Sequence, residues 1–323
     1  MSTEYKGPLS VETRKIAKDE LREDDNSRAQ ALRQMRDWIE KNPKIISCRT
    51  DDSFLLRFLR FKKFSVPMAQ EAMERYILLR QTVKIAFHNL DHTLPKMAHL
   101  IDNGYLFAVP GRDKLGRRWI IGRPGVFDPY KFINEDMCRV HGIVYETLME
   151  DEENQVRGFV HYADGAGVSL PYLTLFTPKE AVRIVKNGER TLPMRHKEVH
   201  VINVPSSLKY VLDWGMTLIS DKIKKRVKIY TTAEEAANNL DVSMLPKEYG
   251  GTIPMSEMIE SFKKELVASR QQLMDNDNME VRLELFSVQA KEGAVSALKS
   301  GNQSCNPYKT DVLTGSFRKL EVD

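Results

Sequence analysis

Cysteine is scarce in this chain: Cys48, Cys138 and Cys305 are the only three in 323 residues, far apart and in no CxxC or zinc-type spacing. A disulfide framework is therefore excluded, and an odd, sparse set fits reduced thiols in a reducing compartment. Long hydrophobic runs are missing too. No window approaches the roughly 18 uncharged apolar residues needed to cross a bilayer, and even the greasiest stretch, 210–219, contains Asp213. The opening Met1-Ser2-Thr3-Glu4 lacks the basic start and apolar core of a secretory signal, and Ser2 excludes myristoylation. The closing Leu320-Glu321-Val322-Asp323 is no prenylation box. These absences predict a cytoplasmic protein that meets membranes from outside, peripherally and reversibly. Net charge is small, +4, so composition points to no nucleic-acid partner and only the distribution of charge is informative.

Catalytic signatures are equally sparse. The sequence has no GxxxxGK[ST] loop, no GxSxG and no HExxH, which removes the commonest nucleotide, serine-hydrolase and zinc-protease patterns. Asp164-Gly165-Ala166-Gly167 follows a strand pattern but lacks the third glycine and acidic partner of a dinucleotide site. His88 and His92 stand at i, i+4 with no third ligand at a sensible spacing, so they read as surface histidines. Cys138 and His141, at i, i+3, have the spacing of a thiol nucleophile and its base. They also interrupt an apolar helical face, where cysteine behaves as a small hydrophobe and histidine as a hydrogen-bonded core residue. The core reading is preferred: no catalytic residue, no metal, no cofactor and no enzyme is expected.

What the chain does have is a clear change of pattern. Residues 1–95 read as a small all-helical domain, with Ile16, Leu21, Leu32, Met35 and Ile39 near helical spacing among many charges. Asp51-Asp52-Ser53 caps Phe54-Leu55-Leu56-Arg57-Phe58-Leu59-Arg60. From about residue 105 short apolar runs flank a turn, Gly111–Gly116, as in a hairpin. Met137, Val140, Ile143, Val144 and Leu148 then return to helical period, followed by a strand at 158–163. Thr177-Pro178-Lys179-Glu180 is a capping box with proline at the first helical position. A strand at 199–204, a helix from about Ser206 and a short strand at 227–230 complete the alternation. The predicted fold class is α/β, with a mixed, largely parallel sheet linked by right-handed crossovers. It occupies residues 96–255, followed by a C-terminal helix within 256–286 and a partly mobile tail from 287.

One segment combines three properties. Leu208, Val211, Leu212, Gly215, Ile219 and Ile223 form an apolar stripe, Trp214 flanks it, and five cations crowd into Lys222–Lys228. Charge would draw such a helix to anionic headgroups at about 1 kcal/mol per cation, and its apolar face would then insert shallowly. A core helix followed by a solvated charge run fits the same pattern. A nucleic-acid patch lacks interleaved aromatics.

Several motifs, in order and spacing over about residues 50–255, resemble the CRAL-TRIO (Sec14-like) lipid-transfer family. The carriers are Asp52–Arg60, Gly116-Arg117-Arg118, Thr177–Glu180, Val199–Pro205 and Leu245-Pro246-Lys247-Glu248-Tyr249-Gly250-Gly251. The likeness is greatest to the branch of tocopherol and retinaldehyde carriers and clavesins. It implies a sheet-floored apolar pocket closed by a helical gate, here Ser206 to Lys222. Pocket positions carry over as Cys138, His141 and Tyr145 on one helix and Phe159, His161 and Ala163 on one strand face. Ile184, Asn187, Gly188, Leu192 and Met194 continue the wall, and Leu208, Val211, Gly215 and Ile219 come from the gate. Val211, Leu212 and Trp214 match membrane-contact positions. A phosphoinositide headgroup site carries over as Lys62, Arg195, Lys197, Lys222 and Arg226. Tyr145, Ala163, Gly215, His141 and His161 depart from the tocopherol carrier, so the cavity is reshaped and a retinoid is a fair rival ligand.

The expected function is a monomeric intracellular carrier of one hydrophobic lipid, exchanging it at phosphoinositide-bearing endosomal or plasma membranes. The rival readings are a phosphoinositide adaptor without bulk transport and an enzyme using Cys138 and His141.

Overall fold

Each early helix begins where the sequence supplies an oxygen for its first free amides. Ser10 accepts from the Thr13 amide to cap α1 (Val11–Leu21), Asp24 and Ser27 form a reciprocal box on α2 (Asp25–Lys41), and Asp51 caps α3 (Asp52–Phe61). Pro67 occupies the first turn of α4 (Val66–Thr82), where its missing N–H costs nothing. Short helices α5 (Lys84–Phe87) and α6 (Pro95–Asp102) lead into the sheet. The computed structural model describes residues 7–175 and 191–291. The Thr177–Glu180 capping box, the wall positions Ile184, Asn187 and Gly188, and the tail beyond 291 lie outside the described residues.

α3 is buried from Phe54 through Arg60, both arginines included. Each is matched by carboxylates from the following α7 (Asn134–Met149) and α8 (Glu152–Arg157) or from the helical part itself. Arg57 donates to Glu146 at 3.1 Å and to Glu150 at 2.7 Å. Arg60 grips both oxygens of Glu23 at 2.8 Å and donates to Glu152 and Gln155, again at 2.8 Å. Tyr76 donates to Glu146 at 2.6 Å. These contacts join the helices to the sheet-bearing part through paired charges rather than grease alone.

Burial pushes the Glu150 carboxyl up, but Arg57 and Arg49 outweigh it and hold the group at about 2, against 4.5 when unperturbed. Because the folded value is the lower one, the stabilisation is complete above about pH 4.5 and disappears as pH falls towards about 2. Urea midpoints are expected to fall through that window, and Glu150→Gln is expected to flatten the fall. An unchanged acid limb in the variant would assign the transition to other groups.

The main sheet contains β2 (Leu106–Ala108), β3 (Arg118–Gly122), β4 (Phe159–Asp164), β5 (His196–Ile202) and β6 (Val227–Ile229), in that spatial order. β2 and β3 form the expected antiparallel hairpin, with Leu106 opposite Gly122, and the remaining pairs are parallel. On one face Trp119, Val160, Tyr162, His200 and Ile202 are buried. Tyr249 packs on Tyr162 there, and Tyr230 stacks on His200.

The expected C-terminal helix is present. The C-terminal helix, α12 (Met255–Asp275; α9 and α10, below, and α11, Ala233–Ala237, precede it), stops at Asp275, and the chain turns at Asn276, whose side chain accepts from Arg49 at 3.1 Å. A strand β7 (Glu280–Val281) then pairs with β1 (Ile45–Ser47). Met279, Val281, Phe286 and Ala290 are buried against the helical core.

Candidate functional site

Strands β3, β4, β5 and β6 advance across the sheet in one direction. Right-handed crossovers therefore place the described helices of the β3–β4 and β5–β6 connections on the same face. That face is defined by Tyr145 on α7, whose ring meets His161 on β4 at 6.2 Å. It also receives the β5–β6 crossover: a 3₁₀ turn at Ser206–Leu208, α9 (Lys209–Leu218) and α10 (Asp221–Lys224). Parallel strands are normally covered on both faces. Here Ala163, Val199 and Val201 keep accessible surface although they lie mid-sheet, and Ile229 at the edge is 47% exposed. An apolar floor is left incompletely packed.

α9 is the apolar helix above it, and none of its residues is buried. Tyr210 is 62% and Trp214 39% exposed, and a Cβ at Gly215 would meet nothing within 4 Å. Val211, Leu212, Gly215, Leu218 and Ile219 are half-buried, so the helix is only partly held by packing. The gate expected as one helix to Lys222 is broken: Ile219 turns extended, and Ser220 caps α10 by accepting from the Ile223 amide. A new cap so soon after Leu218 ends the first helix.

Along the wall, rings follow one another from α7 to β5. Tyr105 meets His141 at 5.6 Å, His141 meets Tyr145 at 5.5 Å, and His161 meets His196 at 5.0 Å. His161 Nε2 and His196 Nδ1 share a hydrogen bond of 2.8 Å. His141 Nδ1 lies 2.8 Å from the Met137 carbonyl. Burial lowers the pKa of both His141 and His161, and takes His196 down to about 4. All three imidazoles are neutral at ordinary pH. His141, Tyr145 and His161 nonetheless keep accessible surface, as side chains on the wall of a hollow do.

His196 also lines a second feature, a cleft of about 460 Å³ between α1, α3 and the β5–β6 crossover. Lys63, Arg195, Lys197, Lys222 and Arg226 line it together with Glu20 and Phe61. The volume is within the roughly 300–1,000 Å³ typical of small-ligand sites. Arg195 is placed by a close backbone approach: Gly158 has φ +79°, and a Cβ there would sit 2.4 Å from the Arg195 carbonyl. Arg195 Nη2 and Lys197 Nζ both reach Glu20 Oε2, at 2.7 and 3.2 Å. Arg226 donates to the His196 carbonyl. Burial, then the Arg195 charge, pushes Lys197 and Arg226 down. The cations thus repel one another, and an anion placed among them would relieve that repulsion.

Of the expected wall residues, His141, Tyr145, His161, Ala163, Leu192, Val211, Gly215 and Ile219 keep accessible surface. Cys138 is buried, with its thiol 3.6 Å from the Asn134 side-chain oxygen. Phe159 and Leu208 are buried, 1% and 6% exposed. Met194 is buried in the main apolar cluster and also lines the cationic cleft. Leu212 is half-buried and Trp214 exposed at the outer side. Lys62 is replaced as a cleft liner by Lys63; its own Nζ lies over the Phe61 ring at 4.4 Å. Just past the end of α3, Lys63 and Phe64 take positive φ. Glu20, Lys63 and His196 were not singled out in the sequence. Only His196 carried a signal, as a histidine opening a strand that runs beside His161.

Comparison with known proteins fits this arrangement of sheet, cover and cleft. Residues 102–251 match the CRAL/TRIO domain, and residues 24–97 match the Pinta-like UBA domain. An alpha-tocopherol transfer protein-like protein of Homo sapiens is 32% identical over 237 residues, 73% of this chain and 69% of the relative. Clavesin-1 of Xenopus laevis is 29% identical over 251 residues, 77% of this chain and 76% of the relative. The crystal structure of Sfh5 superposes with a TM-score of 0.52 at 12% identity, over 78% of this chain and 99% of that one, a likeness of fold alone. This chain belongs to the CRAL/TRIO family of lipid-binding transfer proteins. No described helix is long and apolar enough to cross a membrane.

Proposed function

We propose that the chain is a cytoplasmic carrier that encloses one hydrophobic lipid, tocopherol-, retinoid- or isoprenoid-like, and transfers it at phosphoinositide-containing endosomal or plasma membranes. The observation that carries this reading is the apolar floor of Ala163, Val199 and Val201, incompletely packed, together with an apolar crossover helix none of whose residues is fully buried. A lipid filling that space gains roughly 25 cal/mol for each Å² of apolar surface withdrawn from water, with no charge required. When α9 swings out, Val211, Leu212 and Trp214 meet the bilayer while the adjacent cations hold a headgroup. Wall positions Ile184, Asn187 and Gly188 belong to the same reading through family resemblance.

Native mass spectrometry of the purified chain, combined with transfer of a fluorescent lipid between vesicles, tests the reading. One stoichiometric apolar lipid, and transfer accelerated by phosphoinositide in the acceptor vesicles, is the expected result. An empty chain that binds phosphoinositide vesicles but moves no lipid would favour a trafficking or regulatory adaptor instead.

A further inference from the structure

The hollow proposed above is apolar over most of its boundary, but its α7 wall is not. His141 sits between two tyrosine rings, Tyr105 at 5.6 Å and Tyr145 at 5.5 Å. A carbonyl oxygen can only accept a hydrogen bond, so the 2.8 Å contact to the Met137 carbonyl puts the imidazole proton on Nδ1. Nε2 is then a bare lone pair. Among the described residues nothing donates to it, and neither tyrosine hydroxyl has a hydrogen-bond partner. Three polar atoms are thus left unspent around one ring on an otherwise greasy wall. An acceptor left without a donor in such surroundings is costly, so a bound molecule that supplies the donor is favoured over one that does not.

No formal charge bears on the cluster. Burial alone raises Tyr145, to about 12. Burial raises Tyr105 first, and only Tyr145 and Cys138 add to it. For His141 burial is opposed by the Met137 carbonyl and by nothing ionised. A carboxylate or phosphate end would be buried there without a counter-charge. A ketone, ester or ether could accept from a tyrosine but would turn lone pair against lone pair at Nε2. A hydroxyl satisfies both demands, donating to His141 and accepting from a phenol.

Resting on the carrier reading, we propose that the polar end of the cargo is a single neutral hydroxyl, alcohol or phenol, seated on His141 Nε2 between Tyr105 and Tyr145. Sites built to hydrogen-bond a hydroxyl reject the analogue lacking it far more strongly than an apolar pocket rejects an added methylene.

Geranylgeraniol and its methyl ether share chain and oxygen but differ in the donor. Binding of each to the full-length protein, followed by tryptophan fluorescence and native mass spectrometry, is expected to favour the alcohol by at least about tenfold. His141→Phe should bring the ratio close to one. His141→Gln, whose amide oxygen again accepts, should restore part of it, and Tyr145→Phe should weaken the alcohol several-fold. Equal affinities in the wild type, or a ratio unchanged in His141→Phe, overturn the hydroxyl assignment and leave the carrier reading standing. Binding of neither probe, with no lipid copurifying, overturns the carrier reading itself. Should His141→Phe not fold, the wild-type ratio and the Gln variant decide.

Discussion

Arg60→Ala is expected to lower folding stability by about 3–5 kcal/mol, the cost of leaving buried charges without their partner. The guanidinium is wholly enclosed and satisfies Glu23 on both oxygens, Glu152 and Gln155 at once. Removing it takes from the buried Glu23 its two-oxygen partner, leaving Arg28 at 3.5 Å, and takes a 2.8 Å donor from Glu152. Replacing the group as a whole, with Arg60→Met, Glu23→Leu and Glu152→Leu together, is expected to recover most of the loss, because well-packed hydrophobes can match a buried ion group in stability. Urea denaturation of the single and triple variants, with midpoints compared at equal slope, measures both. A single-variant loss below about 1 kcal/mol would mean that water reaches the cluster. The location gives the loss a functional side. Glu152 and Gln155 lie on α8, and Val156 at its end accepts from Arg195 through its carbonyl, so the same charges steady the helix that places the cationic cleft.

The Phe54–Arg60 motif shows how far a sequence can be read and where reading stops. Its alternation of apolar and arginine residues marked a helix and a family, and the helix is there. The sequence could not say that both arginines point inward, since their carboxylates are supplied from 89 to 93 residues further on for Arg57. The hairpin, the parallel strands and α12 were legible because each repeats a period of two or 3.6 over enough residues to be seen. β1 and β7, three and two residues long, carry no period and pair across the whole chain.

At the candidate site the same limit holds. The family resemblance put His141 and Tyr145 on one helix and His161 and Ala163 on one strand, and those elements are α7 and β4. It could not show that Phe159 is buried, because the ring's packing depends on neighbours from other strands. Glu20 was invisible: one acid on an ordinary charged helix, brought to Arg195 across 175 residues. The gate's break at Ile219 could have been read from Ser220-Asp221, a helix-start signal inside an apolar run.

Lys222→Glu combined with Arg226→Glu is expected to slow phosphoinositide-dependent lipid transfer roughly a hundredfold, while ligand affinity in solution changes less than about twofold. Each cation near an anionic surface is worth about 1 kcal/mol, and reversing two removes two attractions and adds two repulsions. Both side chains line the cleft and not the apolar wall, which is why cargo affinity should be spared. Lys224→Glu with Lys225→Glu makes the same change in net charge without touching a cleft-lining residue and is expected to cost far less on phosphoinositide vesicles. Glu20 supplies the opposite sign. Burial raises its carboxyl, but Arg195 and Lys197 outweigh that and lower it, so at neutral pH it is an anion already seated among the cations. A headgroup phosphate must displace or share it. Glu20→Gln should therefore tighten vesicle binding several-fold, and the gain should shrink as salt screens both competitors. Vesicle sedimentation at two ionic strengths reads all three variants together. Equal losses for the cleft and off-cleft reversals, with no gain from Glu20→Gln, would reduce the cleft to a generally basic surface.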